Sequence, residues 1–236
     1  MTSLTVVSGY WIITNKHGNQ FLDWFKNSLK INCPYVFFGT KETIALVKGY
    51  RGTLPTHYIE LELADFYTHK YRDDFQTDPV HCPSKELNMI WNEKLFLIQK
   101  AAALNPFKSE FFAWVDAGVT IYRKRPPPTG PFPNKSKLQK LPKDKLVFSA
   151  SVPAKFNAAA VGPTNYYSFI SGTAFMLHAS IIDMFVTEYS HYLEKYVPQR
   201  CNVFTDQVIF TYMYKDRPEL FHSLGVGYGY MLALLY

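Results

Sequence analysis

The sequence predicts an α/β fold, a mostly parallel central sheet with helices on both faces. Three observations lead there. β-Branched and aromatic runs alternate with helical patterns through the first third of the chain, as in parallel strands joined by helices. A long helix with one apolar face precedes an apolar strand that closes on a single acid. The length, 236 residues with 47% hydrophobic, suits one domain spanning residues 1–236.

Thr5–Ile13 reads as the first buried strand. Gly18–Ile31 follows with Phe21, Leu22, Trp24, Phe25 and Leu29 at near-helical spacing. Pro34 introduces a short apolar strand, Tyr35–Gly39; Lys41–Tyr50 reads as a helix and His57–Leu63 as a third strand. Asp65–Cys82 is polar, aromatic and aperiodic, an irregular excursion. Ser84 is a natural N-cap for the helix Lys85–Leu104, which Asn105-Pro106 ends. Its apolar face runs through Leu87, Ile90, Trp91, Leu95, Ile98, Ala101 and Ala102, with Lys85, Asn88 and Asn92 as a polar stripe. Phe111–Val119 is the acid-bearing strand. Leu146–Ser151 and Ser168–His178 read as strands, Ser180–Tyr196 as an amphipathic helix and Asp206–Tyr214 as a helix. The apolar tail Tyr228–Tyr236 reads as a last buried strand or docked segment.

Composition narrows the function. With 19% charged and 17% aromatic residues the chain is not disordered as a whole. No stretch approaches the roughly 18 apolar residues of a membrane span, and residues 1–7 lack a basic, then apolar, leader. Cytoplasmic placement is the expectation, compatible with a peripheral position at a membrane. Cys33, Cys82 and Cys201 lack the spacing of a disulfide framework or a zinc site. The net charge of +6 is concentrated in a Pro-rich loop, 123–145, which holds eight basic residues against one acid, Asp144. Such a loop is either a solvated connection or a means of drawing an anionic ligand to a nearby site. Nucleic acid is not expected as a partner, because no zinc-finger spacing or RNA-binding aromatic motif is present.

Asp116 is the first candidate for chemistry. A carboxylate near the end of an apolar strand costs several kcal/mol if buried alone, and ligands of open α/β sheets sit at the carboxyl ends of strands. Trp114-Val115-Asp116-Ala117-Gly118 resembles the Asp-any-Asp motif of nucleotide-sugar glycosyltransferases of the GT-A fold, with Gly118 in place of the second aspartate. The run from Glu93-Lys94-Leu95 through Asn105-Pro106-Phe107 to Val119 resembles the HtrL/YibB-like family of glycosyltransferase-type proteins more closely. Further motifs follow in the order of glycogenin-like transferases. Ser171-Gly172-Thr173 is similar to their Ser-Gly element near the acceptor sugar. Thr205-Asp206-Gln207 is similar to their Asp-Gln motif, and His222-Ser223-Leu224-Gly225 to their metal-binding His-any-any-Gly. The Lys-Pro-Trp that normally follows is absent.

The resemblance implies a GT-A-like domain that moves a sugar, of hexosyltransferase type, from a nucleoside diphosphate sugar (a UDP-sugar favoured) to a glycan, glycolipid or protein acceptor. It implies Asp206 and Gln207 as the catalytic side. Ser8, Gly9, Tyr10, Lys94, Asp116 and Gly118 would meet the donor, with Tyr10 or Trp11 stacking on its base. Ser171, Gly172 and Thr173 would line the acceptor or sugar pocket. A divalent metal, Mn2+ or Mg2+, would be held by Asp116 and His222; the alternative is that Lys94 and loop cations such as Arg123 or Arg125 replace it. Lys94 either carries its charge to water along its stem or reaches a ligand anion. Gly225, Gly227 and Gly229 do not make a dinucleotide fingerprint and read as a turn closing over the donor. Two other classes stay open: an inactive nucleotide- or sugar-binding domain, and a basic module that binds polyanions.

Overall fold

The computed structural model describes residues 3–14, 17–18, 20–151, 155–163, 165, 167–201 and 203–236. Asn19, inside the expected first helix, lies outside them. In order come β1 (Leu4–Tyr10), α1 (Gln20–Ser28), β2 (Tyr35–Gly39), α2 (Lys41–Arg51), β3 (Thr56–Glu60), α3 (Lys85–Leu104) and β4 (Phe111–Val115). Then follow α4 (Lys135–Leu138), β5 (Leu146–Ala150), β6 (Ile170–His178), α5 (Ile182–Tyr196), α6 (Asp206–Asp216), β7 (Phe221–Val226) and α7 (Tyr230–Leu235). One seven-stranded sheet has the order β3-β2-β1-β4-β6-β5-β7. Its pairings are parallel except those of β6, which runs antiparallel to both β4 and β5. The expected GT-A-like α/β architecture is what the chain adopts.

The sheet is covered on both faces, so its strands are apolar on both sides. In β4, Phe112 and Trp114 enter the core beneath α3, α5 and α6, while Phe111, Ala113 and Val115 enter the one beneath α1, α2 and α7. Period-two alternation of side chains alone produces this split.

α3 sets the geometry of the site. Ser84 Oγ accepts the Leu87 N–H at 3.2 Å, and the helix closes on Asn105 in the left-handed conformation. Of its expected polar stripe, Asn88 and Asn92 face protein, while Lys85 stays at the surface beside Asp73. Asn88 Nδ2 donates to Gln76 O and Val203 O, and Asn92 Oδ1 accepts from Tyr189 Oη. Glu93 is buried beside them and accepts from Tyr67 N, Thr68 N and Thr68 Oγ1 at 2.8–3.0 Å. Burial nevertheless pushes its carboxyl up to about 7. These bonds tie the segment 65–82, with its 3-10 turn Tyr67–Tyr71, onto α3.

The structure adds detail to three segments. The basic segment keeps most of its cations exposed but is docked at a few apolar points. Phe132, Leu138 and Leu141 are buried, Phe132 N donates to Asn32 O, and Asn134 N donates to Leu235 O. The mixed polar run at residues 221–226 is a strand, β7, added parallel to β5 at the sheet edge. The tail after it is a docked segment, one of its two expected forms, and it is helical: α7, with Met231, Leu232 and Leu235 buried. The turn between them is anchored, with Gly227 N donating to Ala150 O at 2.7 Å. Gly229 sits at φ 70° there, and a Cβ would lie 2.8 Å from Val119 Cγ2. Among the described residues, no helix is long and apolar enough to cross a membrane.

Candidate functional site

The C-terminal ends of β1 and β4 point to one edge of the sheet. Antiparallel β6 brings its N-terminal end alongside, with Asp116 N donating to Thr173 O at 2.8 Å. α3 and the N-terminus of α6 cover this edge from one face. A cavity of about 370 Å³ opens here, reached by Lys94, Asp116, Gly172, Thr205, Asp206 and Gln207. Its other wall is aromatic, with Tyr10, Phe21, Trp91 and Trp114.

Lys94 is the hub. It is 2% exposed, so it does not carry its charge to water. Its Nζ lies 3.0 Å from Asp116 Oδ1, 3.0 Å from Asp206 Oδ2 and 2.8 Å from Gly172 O. An ammonium has three N–H donors, and these three oxygens take them all. Burial works to lower the Lys94 pKa, but Asp116 and Asp206 outweigh it and hold the group above its ordinary value. Asp206 is also pushed up, to about 6. Burial is the main cause, Lys94 offsets it only in part, and the Asp116 charge adds to it. Two carboxylates share one ammonium, so Asp206 is not lowered as a private ion pair would lower it.

The polar atoms around Asp206 are under-satisfied. Thr205 Oγ1 and Gln207 Oε1 are buried and make no hydrogen bond among the described residues. Both residues line the cavity at the start of α6. Native structures rarely leave such atoms unpaired, and sugar hydroxyls are suitable partners. Gly172 is glycine for a steric reason: a Cβ would lie 2.5–2.8 Å from the Asp206 carboxylate. Gly172→Ala should therefore force Asp206 off Lys94 and cost about 1–3 kcal/mol, read as a lower urea midpoint at unchanged slope.

The other expected site residues divide. Gly9, Tyr10, Gly118, Thr173 and Gln207 line the cavity. Ser8 does not; its Oγ donates to Val115 O at 2.7 Å inside the sheet. Ser171 is buried, and its Oγ accepts from Gly229 N. Trp11 contributes to the cavity wall, but its indole N–H donates to Leu61 O and its ring packs edge-on to Phe66. Gly9 makes room for that ring, not for a ligand, since a Cβ would sit 2.6 Å from it. Tyr10 stacks on Phe21 at 5.5 Å and 20°. Tyr228, from the glycine turn, also reaches the cavity.

Asp116 and His222 are not brought together. His222 pairs with Val147, Val147 with Met176, and Met176 with Ala113. It is thus three strands from β4, roughly 14 Å at the usual strand spacing. Nor does Gly118 leave room for a carboxylate, because a Cβ there would meet the Phe21 ring at 2.9 Å. Among the described residues no three His, Cys, Asp or Glu side chains are grouped as a metal set would be. The residues present do not fit the expected metal.

Some cavity residues were missed in the sequence. Trp91 stands three before Lys94 on α3, and Trp114 stands two before Asp116 on β4. Helical and strand periodicity place each on the face of its charged neighbour. Trp114 Nε1 indeed donates to Asp116 Oδ1 at 2.7 Å. Thr205 adjoins the Asp-Gln pair, and its hydroxyl is the kind of short polar group expected at a helix start.

Comparison with one solved structure supports the fold. Mouse xyloside xylosyltransferase 1, in its apo form, superposes with a TM-score of 0.54 at 13% identity, over 94% of this chain and 84% of that one. A 4-diphosphocytidyl-2C-methyl-D-erythritol synthase from Anaerococcus prevotii matches with a TM-score of 0.44 at 12% identity, over 96% and 90%. No curated protein matches the sequence. The family model described as "Bacterial protein of unknown function (HtrL_YibB)" matches residues 42–231, and the chain belongs to that family.

Proposed function

We propose that this protein is a glycosyltransferase that moves a sugar from a nucleoside diphosphate sugar, in the first instance a UDP-sugar, to a hydroxyl of a glycan or glycolipid. The observation that carries this reading is the Asp116–Lys94–Asp206 constellation at the carboxyl edge of the sheet, beside unpaired acceptors at the start of α6. The xylosyltransferase-like fold supports it. Tyr10 and its neighbours offer an apolar wall to the base. Asp116 offers its remaining oxygen to a donor hydroxyl. Thr205 and Gln207 take sugar hydroxyls.

In the transfer, the bond from the sugar's anomeric carbon to the diphosphate breaks, and the electron pair leaves on the diphosphate. A bond to the acceptor oxygen forms as that hydroxyl passes its proton to the Asp206 carboxylate. Asp206 acts as the carboxylate beside the reacting carbon. Lys94 holds it in place through the ion pair, and Gly172 gives it room.

Purified protein should turn over at least one member of a nucleotide-sugar panel, and Asp206→Asn should lower turnover about 100-fold or more. Full turnover by that variant would remove the assigned role. Binding of a donor with no turnover by the wild type would favour an inactive binding domain. The pH profile adds an independent test. Asp206 faces Lys94, Asp116 and the Tyr189 ring, and it must be ionised to act. Turnover should rise with pH through about 6 and level off above about 7; a profile flat from pH 5 to 8 would exclude this role.

A further inference from the structure

Resting on the transferase reading, we infer that Arg123 is the fixed cation that receives the donor's diphosphate, and that donor binding requires no divalent metal. A diphosphate brings at least two negative charges into the cavity, so some cation must meet it. Lys94 is spent: its three donors face Asp116, Asp206 and Gly172. Those two carboxylates and one ammonium leave the cluster no net positive charge to offer.

Arg123 has charge and donors to spare. It lines the cavity beside Asp116 and Gly118. Its Nε donates to Gly118 O at 3.2 Å, and its guanidinium lies 4.2 Å from the centre of the Trp24 ring. The backbone bond and the cation–π contact fix the fork in place. Among the described residues its terminal amino groups make no hydrogen bond and no ion pair. A guanidinium held this way matches phosphate oxygens two at a time. Burial lowers its pKa and Asp116 offsets this in part; a guanidinium stays charged at neutral pH.

The neighbourhood extends the field. Lys124 and Arg125, with Trp24 and Ile121, line a second, more open hollow of about 520 Å³ that shares Arg123 and Thr120 with the cavity. No carboxylate pairs with Lys124 or Arg125 among the described residues. The alternative cation, a metal at Asp116, lacks partners. Phe21 covers position 118, His222 stands three strands away, and Asp116 Oδ1 is already held by Trp114 and Lys94.

Calorimetric titration of uridine, UDP and GDP into the wild type, in EDTA and in Mn2+, tests this. The preferred diphosphate should bind with the same affinity in both buffers, within about twofold. Arg123→Gln should weaken it about 10- to 100-fold, with no restoration by Mn2+. Uridine, which lacks phosphate, should bind wild type and variant alike. Arg123→Lys, which keeps the charge but loses the fork, should fall between them. Binding that appears only with Mn2+ overturns the inference while leaving the transferase reading intact, and needs no variant to fold. Wild-type UDP or GDP affinity in Arg123→Gln overturns it as well. Failure of both diphosphates to bind in either buffer overturns the transferase reading together with the inference.

Discussion

Arg51→Met should cost at least about 3–5 kcal/mol of stability, the largest structural effect of any single substitution named here. Arg51 is 2% exposed, and among the described residues it has no carboxylate partner. It ends α2, where its guanidinium serves as a cross-link between buried backbone turns. Nη1 donates to Leu29 O and Ile31 O at 2.7 and 2.9 Å, and Nη2 to Cys33 O and Pro55 O at 2.8 and 3.1 Å. Nε donates to Thr56 Oγ1 at 2.9 Å, and the plane stacks 4.0 Å from the Tyr35 ring centre. Burial lowers its pKa against the pull of Tyr35. Methionine would fill the stem's volume and take the guanidinium donor from Leu29 O and Cys33 O, each worth about 1–3 kcal/mol if it stays dry, while Ile31 O and Pro55 O keep the N–H groups of Cys33 and Tyr35. Typical domains hold only about 5–15 kcal/mol in total. Urea unfolding should show the loss, with Arg51→Lys intermediate. A loss below about 1 kcal/mol would show that water replaces the guanidinium freely.

The largest effect on activity is expected from Lys94→Met, with turnover lower by at least about 100-fold at pH 7. Lys94 is a positioning residue, because its donors go to protein oxygens and not to the cavity. Without the ammonium, the Gln207 backbone N–H alone opposes burial and the Asp116 charge, and the Asp206 carboxyl rises further. A larger share of Asp206 is then protonated at pH 7 and does not serve as a carboxylate. The variant should recover part of its turnover on moving to pH 9, with the acid limb of the profile shifted upward by a unit or more. A merely structural lysine would lower turnover without moving that limb.

Local signals made much of the fold legible. Ser84 and Asn105 bound α3 because a cap and a proline act on adjacent residues, and Tyr35–Gly39 matches β2 end for end. The strand through Asp116 is shorter than its apolar run, stopping at Val115 where a turn begins. β7 was hidden because Phe221-His-Ser-Leu-Gly-Val226 has neither alternation nor a β-branched run. Its strand state comes from pairing with β5. The docked tail is legible but its helical state is not, because Met231-Leu-Ala-Leu-Leu235 is a short apolar run, for which periodicity cannot separate helix from strand. Its leucines, alanine and methionine are nonetheless strong helix formers.

The site was legible as a set of residues and not as a network. Motif order gathered Asp116, Gly172, Asp206 and Gln207 correctly around one cavity. It could not say that Lys94 would join the two acids, since both partners come from distant elements. Nor could it place His222, because order along the chain does not state which strand takes the sheet edge. The basic loop is one feature of composition, yet the fold divides it. Arg123 reaches the cavity, while Lys143 pairs with Glu110 at the start of β4, the opposite end of that strand.

The chain's four tryptophans provide the most direct test. Trp11, Trp91 and Trp114 line the cavity, and Trp24 lies beneath Arg123 in the adjoining hollow. Indole N–H resonances of the labelled protein should be followed while UDP- and GDP-sugars are titrated. Bound donor should move the Trp114 signal most, through its hydrogen bond to Asp116, and the Trp24 and Trp91 signals with it. The Trp11 signal, tied to Leu61 O, should move least. If no indole signal moves at millimolar donor, this cavity is not a nucleotide-sugar site.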